Sequence, residues 1–298
     1  MGWSDTLDAA AAQQVAELVA ASTAFDGSAP ISEQAVLSLS TASAARHLTH
    51  EVDGRVVGYA NLVPGHGEHA AMAEVAVDPE HRGNGIGTEL VRSALAEGGA
   101  DARVWAHGDL PAARAVAAKL NLTGARELLQ LRRALAKPEL PAVATPDGIT
   151  LRTYAGAEDD AEILRVNNAA FSWHPEQGGW THAEIDERRA ADWFDPAGLF
   201  LAEDAAGTVL GFHWTKVHTE TDEPIGEVYV VAIDPAAQGR GLGRVLTAAG
   251  LHYLRDRGLA DVLLYVEADN TAAVHTYDRL GFERFHTDIA YTIASHSG

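Results

Sequence analysis

Laid over its own first half with an offset of 156, residues 227–243 (EVYVVAIDPAAQGRGLG) fall on residues 71–87 (AMAEVAVDPEHRGNGIG), with an Asp-Pro pair and three glycines in register. With an offset of 160, residues 261–282 fall on residues 101–122 in the same order. Two matched blocks this far apart mark a duplicated domain, because solenoid repeats recur every ~20–50 residues. A chain of 298 residues has room for two domains of ordinary size.

Each copy reads alike. A strand pair (GRVVGYANLV, 54–63; GTVLGFHWTKV, 207–217) precedes an apolar strand, a glycine turn and an amphipathic helix (87–99; 243–258). Another strand (102–108; 261–269), a helix (112–120; 271–280) and a final strand (128–135; 288–295) follow. The pattern predicts the α/β class (mixed α+β), as two tandem domains, each a twisted mixed sheet flanked by helices. The segment AKPELPAVATPDG (136–148) carries three prolines, a composition that makes extended, semi-rigid spacers. The expected division is therefore 1–138, a linker at 139–148, and 149–298.

Composition narrows the function classes. A net charge of −20 with no basic stripe disfavours a nucleic-acid partner. The N-terminal stretch lacks a basic segment followed by an apolar run, and no run of about 18 apolar residues occurs, so a cytoplasmic protein without a membrane partner is expected. With no cysteine, thiolate zinc sites and a cysteine nucleophile are excluded. His66, His69, His81, His213 and His218 lack the spacing of a metal site, so no metal is expected. No G-x-S-x-G supports a serine hydrolase.

The glycine turns define what anion they suit. Gly239, Gly241 and Gly243 give G-x-G-x-G with Arg244 where a dinucleotide fingerprint needs glycine, and neither turn has the lysine of a P-loop. What remains is Gln238-x-x-Gly241-x-Gly243 and Arg82-x-x-Gly85-x-Gly87. Glycine permits close backbone approach while N–H groups at a helix N-terminus point at phosphates.

This loop resembles the pyrophosphate loop of the GCN5-related N-acetyltransferase (GNAT) superfamily. The second copy also matches the family pattern N-x-x-A-x-x-x-Y-x-x-x-G-F at Asn270, Ala273, Tyr277, Gly281 and Phe282. The resemblance implies acetyl-coenzyme A as donor, held by Val231, Ala232, Ile233, Gln238, Gly239, Arg240, Gly241, Leu242, Gly243 and Arg244, and by Asn270, Thr271, Ala272, Ala273, Val274 and His275. A second molecule would use Val75, Ala76, Val77, Arg82, Gly83, Asn84, Gly85, Ile86, Gly87 and Thr88. It also implies Tyr277 as the acid that reprotonates the leaving thiolate, a task a phenol with pKa near 10 suits. Glu227 is the candidate base. The first copy has Ala117 and Ala71 at those two places, so catalysis is expected in the C-terminal copy and an inactive N-terminal one.

One loop, FSWHPEQGGW (171–180), has no counterpart in the first half. It resembles a segment of duplicated family members that acetylate the cysteinyl amine of cysteinyl-glucosaminyl-inositol, a small pseudo-disaccharide thiol. The resemblance implies an acceptor site of Glu33, Glu176, Lys216, Glu227 and Tyr265, in a monomer whose repeats form an internal pseudo-dimer. Another small amine as acceptor, or a non-catalytic acetyl-coenzyme A sensor, stays open.

Overall fold

In the computed structural model, residues 2–41, 43–67, 69–172, 177–219 and 223–294 are described. The compact units are not divided at the proline-rich segment. Unit 1 comprises Met1–Leu128 and His286–Gly298, and unit 2 comprises Leu129–Phe285. The final strand of each repeat thus completes the unit of the other, a topology that no periodicity in the sequence announces.

Unit 1 begins with α1 (Ala9–Asp26) and the short α2 (Glu33–Leu37), each with its N-terminal amides capped by a side chain, Asp8 and Ser32. Strands β1 (Arg46–Val52), β2 (Arg55–Val63), β3 (Met72–Val77) and β4 (Arg103–Ala106) follow, with α3 (Ile86–Gly98) crossing from β3 to the parallel β4. After α4 (Pro111–Lys119) and β5 (Leu122–Ala134), the chain leaves for unit 2. It returns as β11 (Glu283–Ile293), whose residues 289–292 pair antiparallel with β4. The sheet is sandwiched: Val15 and Leu18 of α1 pack with Tyr59 and Ala76, while Val91, Ala94 and Leu95 of α3 pack with Ala73 and Val104.

Unit 2 repeats the plan with β6 (Ile149–Thr153), α5 (Asp160–Ala170), α6 (His182–Ala190), β7 (Leu199–Asp204), β8 (Val209–His218) and β9 (Ile225–Ile233). Then come α7 (Leu242–Asp256), β10 (Asp261–Glu267) and α8 (Thr271–Arg279). Strand order is β5-β10-β9-β8-β7-β6, with β9 and β10 parallel. Ile163, Val166 and Ile185 of α5 and α6 cover one face, and Leu251 and Leu254 of α7 cover the other. The proline-rich segment is not a free spacer: Leu140 is 6% exposed in the α7-side core, and His252 Nε2 bonds Pro141 O at 2.9 Å.

A β-bulge sets which way β9 presents its side chains. Trp214 pairs with Val230 but Thr215 pairs with Val228, so Tyr229 is the extra residue. Val230 and Ala232 join the α5 side of the core, whereas Val228 joins the α7 side. Counting back by twos from Ala232 without the bulge would turn Glu227 toward α7; with it, Glu227 faces the α5 and α6 side. The corresponding β2–β3 pairing runs from Gly58↔Val77 to Val63↔Met72 without a bulge.

Among the described residues, no helix is long and apolar enough to cross a membrane. One core contact yields a test of packing. Gly250 of α7 lies against the fully buried His213, whose Nδ1–H donates to Leu246 O at 2.9 Å and whose pKa burial lowers to about 4. A methyl group at position 250 would overlap the His213 ring. Gly250→Ala is expected to cost about 1–3 kcal/mol, which calorimetry would read as a Tm lowered by about 5 °C.

Candidate functional site

The second glycine turn is built as its residues dictate. Asp234 accepts from Ala236 N at 2.9 Å at the end of β9, and Gly239 (φ 76°) and Gly241 (φ 77°) take left-handed conformations that disfavour side chains. The turn delivers the chain into α7, whose first amides receive no side-chain cap. Those amides are thus left for an anion. Gly243 has neither a left-handed φ nor a crowded Cβ position, so the fold alone does not require glycine there. It lines a cavity of about 1110 Å³. A side chain at this position would fill the space a phosphate-bearing ligand needs, which fits the residues to a coenzyme.

The cavity opens because β9 and β10 part. They pair only at Gly226↔Val262 and Glu227↔Leu263, and Val231 and Ile233, beyond that point, line the cavity. Gln238, Gly239, Gly241, Leu242, Arg244, Asn270, Ala272, Ala273, His275 and Tyr277 line it too. Ala232, Val274, Arg240 and Thr271 are not in the lining. Ala232 turns into the α5-side core, and Val274 packs into the α7-side core.

Each motif position on α8 has a physical task. Asn270 Oδ1 caps the helix by accepting from Ala273 N at 3.2 Å. Gly281 (φ 79°) ends it in the left-handed conformation, with Phe282 N donating to Tyr277 O at 3.0 Å. Phe282 packs edge-to-face on the Tyr277 ring, centroids 5.7 Å apart. Tyr277 is half-buried at the cavity wall, and burial pushes its pKa up to about 12.

The acceptor residues named from sequence divide three ways. Lys216 pairs with Glu227 across the β8–β9 ladder, and Leu263 pairs with Glu227 from β10, so alternation sets Lys216, Glu227 and Tyr265 on one sheet face. Glu227 is 8% exposed and stands where β9 and β10 separate, outside the cavity lining itself. Tyr265 is 49% exposed, and its hydroxyl accepts from Gln130 Nε2 at 3.0 Å. The Lys216 ammonium lies over the rings of Trp193 (5.3 Å) and Tyr229 (5.9 Å). Glu33 belongs to unit 1, exposed at the first position of α2. Glu176 lies outside the described residues.

Two neighbours of these residues were not singled out as site residues from the sequence. His218 Nε2 meets Glu227 Oε2 at 2.7 Å, and its spacing of two from Lys216 was the available signal. Arg188 of α6 donates to the Tyr229 hydroxyl at 2.8 Å and stacks on Trp180, 4.1 Å from its ring centre. Nothing in the local pattern of α6 marks that contact. Among the described residues, no group of three or more His, Asp or Glu is placed to hold a metal ion.

Unit 1 carries the same turn, with Gly83 (φ 82°) and Gly85 (φ 88°) left-handed before α3, and a smaller cavity of about 410 Å³. Val75, Ala76, Val77, Arg82, Gly83, Gly85, Ile86, Gly87 and Thr88 line it; Asn84 does not, and its Nδ2 donates to His81 O. The Arg82 guanidinium is already forked onto Asp26 at 2.8 and 2.7 Å, so its charge is committed within the protein.

The acetyltransferase (GNAT) family model matches residues 15–121 and 165–282, and the chain belongs to this family. A mycothiol acetyltransferase of Nocardia farcinica is 69% identical over 291 residues, covering 97% of this chain and 96% of that protein. One of Rhodococcus opacus is 65% identical over 298 residues, covering 98% of each. Among solved structures, a GCN5-related N-acetyltransferase from Sphaerobacter thermophilus is similar with TM-score 0.71 at 22% identity, covering 97% of this chain and 94% of that one. A tandem GNAT protein from the clavulanic acid biosynthesis pathway gives TM-score 0.69 at 20% identity, covering 95% and 94%. These two share the fold.

His107, which lines the unit 1 cavity, stands between two carboxylates. Glu74 accepts from Ser32 N, Ser32 Oγ and His107 Nε2, and Asp288 of β11 takes the other ring nitrogen at 3.2 Å. Burial alone would lower the His107 pKa, but the carboxylates of Asp288 and Glu74 outweigh it and push it up to about 9. A histidine raised above its ordinary value contributes stability fully below about pH 6.5 and loses it as pH rises through about 9. Urea titrations from pH 6 to 10 should show about 3 kcal/mol lost over that window, with His107→Gln flattening the dependence. A parent protein whose stability does not change across this range would contradict the pairing of His107 with these carboxylates.

Proposed function

We propose that the chain is an acetyl-coenzyme A-dependent N-acetyltransferase that acetylates the cysteinyl amine of cysteinyl-glucosaminyl-inositol, completing mycothiol. The observation that carries the reading is the Gln238–Arg244 turn, uncapped α7 and Tyr277 around one cavity at the parting of β9 and β10. Near-full-length identity to mycothiol acetyltransferases supports the acceptor.

When bound, acetyl-coenzyme A supplies an activated acetyl thioester. The free amides of α7 and the turn would hold its phosphates, with Arg244 in the cavity lining adding charge. Glu227, buried at the fork, takes the proton that makes the acceptor amine nucleophilic. Tyr277 keeps its proton on Oη through the neutral range and delivers it to the departing sulfur. Lys216 with Trp193 and Tyr229, and Tyr265 beyond them, offer a cation and flat aromatic faces to the sugar and inositol. The N-terminal repeat, with Ala117 where Tyr277 stands and Glu74 engaged by Ser32 and His107, serves as a structural binder of a second acetyl-coenzyme A.

Turnover of the pseudo-disaccharide against free cysteine, glucosamine and spermidine tests the acceptor. Selective use of the first is expected; consumption of another amine instead would refute it. Tyr277→Phe should lower kcat by about 10²–10³-fold and leave the KM for acetyl-coenzyme A within about twofold, since the phenol acts after binding. With its pKa near 12, Tyr277 should leave no alkaline limb in the kcat profile between pH 7 and 10.

A further inference from the structure

Glu227 has a demanding position for a base. It is 8% exposed, so it has given up most of its hydration. Its flexible side chain must also hold one oxygen toward the acceptor. The bulge at Tyr229 turns it to the correct face, but a backbone feature does not fix a carboxylate's orientation. Lys216, directly across the ladder, places its ammonium over Trp193 and Tyr229. His218, two residues further along β8 and therefore on the same face, brings Nε2 to 2.7 Å from Glu227 Oε2. That length is typical of a charge-assisted N–H···O bond.

We propose that His218 is a positioning residue for acetyl transfer: its Nε2–H holds Glu227 Oε2 and so turns Oε1 toward the acceptor ammonium. The proton leaves the acceptor nitrogen, which keeps the electron pair, and arrives on Oε1. Throughout, the contact at Oε2 stops the carboxyl from rotating. The inference rests on Glu227 as base, and the Glu74–His107 pair of unit 1 shows by contrast what removes a carboxylate from use. Glu74 is engaged by two Ser32 donors and His107, whereas Glu227 is met by His218 at Oε2.

The test compares His218→Leu, which removes the donor, with His218→Gln, whose amide N–H reaches the same oxygen. His218→Leu should lower kcat by about 10–100-fold while the KM for acetyl-coenzyme A stays within about twofold, because the cavity lining is untouched. His218→Gln should recover most of the loss. A His218→Leu variant within threefold of the parent, or a His218→Gln variant no better than it, overturns the proposal. A second readout needs no turnover: long-range ¹H–¹⁵N correlation of the His218 ring should show a proton on Nε2 in the parent and loss of that preference in Glu227→Ala. A bare Nε2 in the parent overturns the proposal even if no amine is acetylated. A parent that acetylates nothing yet carries the Nε2 proton refutes the assigned reaction and keeps the pair.

Discussion

Parallel strands that stop pairing halfway leave main-chain donors and acceptors without a ladder partner, and such groups in a protein interior need one. In unit 2 this happens to β9 after Glu227, and the rest of the site is arranged about that point. The glycine turn and α7 lie downstream on β9, α8 follows β10, and the carboxylate sits at the fork. A strand edge kept open inside a folded sheet is a binding feature held in place by the packing of both faces, with Val228, Leu251 and Leu254 on one side and Val230, Ile163 and Val166 on the other.

The two units make opposite uses of similar parts. Both open a strand pair, both place two left-handed glycines before an uncapped helix, and both bury a glutamate beside a histidine. In unit 1 the carboxylate is saturated by Ser32 and His107, and the histidine is held between two carboxylates, so charge is balanced and locked. In unit 2 Glu227 is met by His218 at Oε2, and the Lys216 ammonium lies over aromatic rings. The same residue types thus build a carboxylate met by three donors in one place and one met by a histidine at Oε2 in the other.

Much of the site was legible because its causes are local. Glycine at 239 and 241 is demanded by positive φ, Asn270 by an uncapped helix start, and Gly281 by a left-handed helix end, so residue type and spacing report them directly. Strand and helix periods located the elements from the glycine turns onward, although β5 and β11 begin earlier than the apolar pattern suggested; residues 54–63 and 207–217, read as strand pairs, are the single strands β2 and β8, whose hairpin partners β1 and β7, with α1, β6, α5 and α6, were not read from the sequence. His218 was read only against a metal site, since its value depends on a partner nine residues away across a hairpin. Glu74 was passed over because the repeat offset sets it against Val230 and sets Ala71 against Glu227; the bulge in unit 2, absent from unit 1, shifts that register by only one residue.

The sequence by itself therefore determined the duplicated α/β plan, the anion-binding turns, the motif around Tyr277 and the acidic, cysteine-free background. Tertiary structure alone decided which unit each final strand completes, which face Glu227 takes, and which charged groups are already engaged. The physical reason is range. Torsions, caps and periodicity are set by neighbours in the chain, whereas strand exchange and the phase of a bulged strand depend on which edges meet after collapse, and a period of two fits either face equally well.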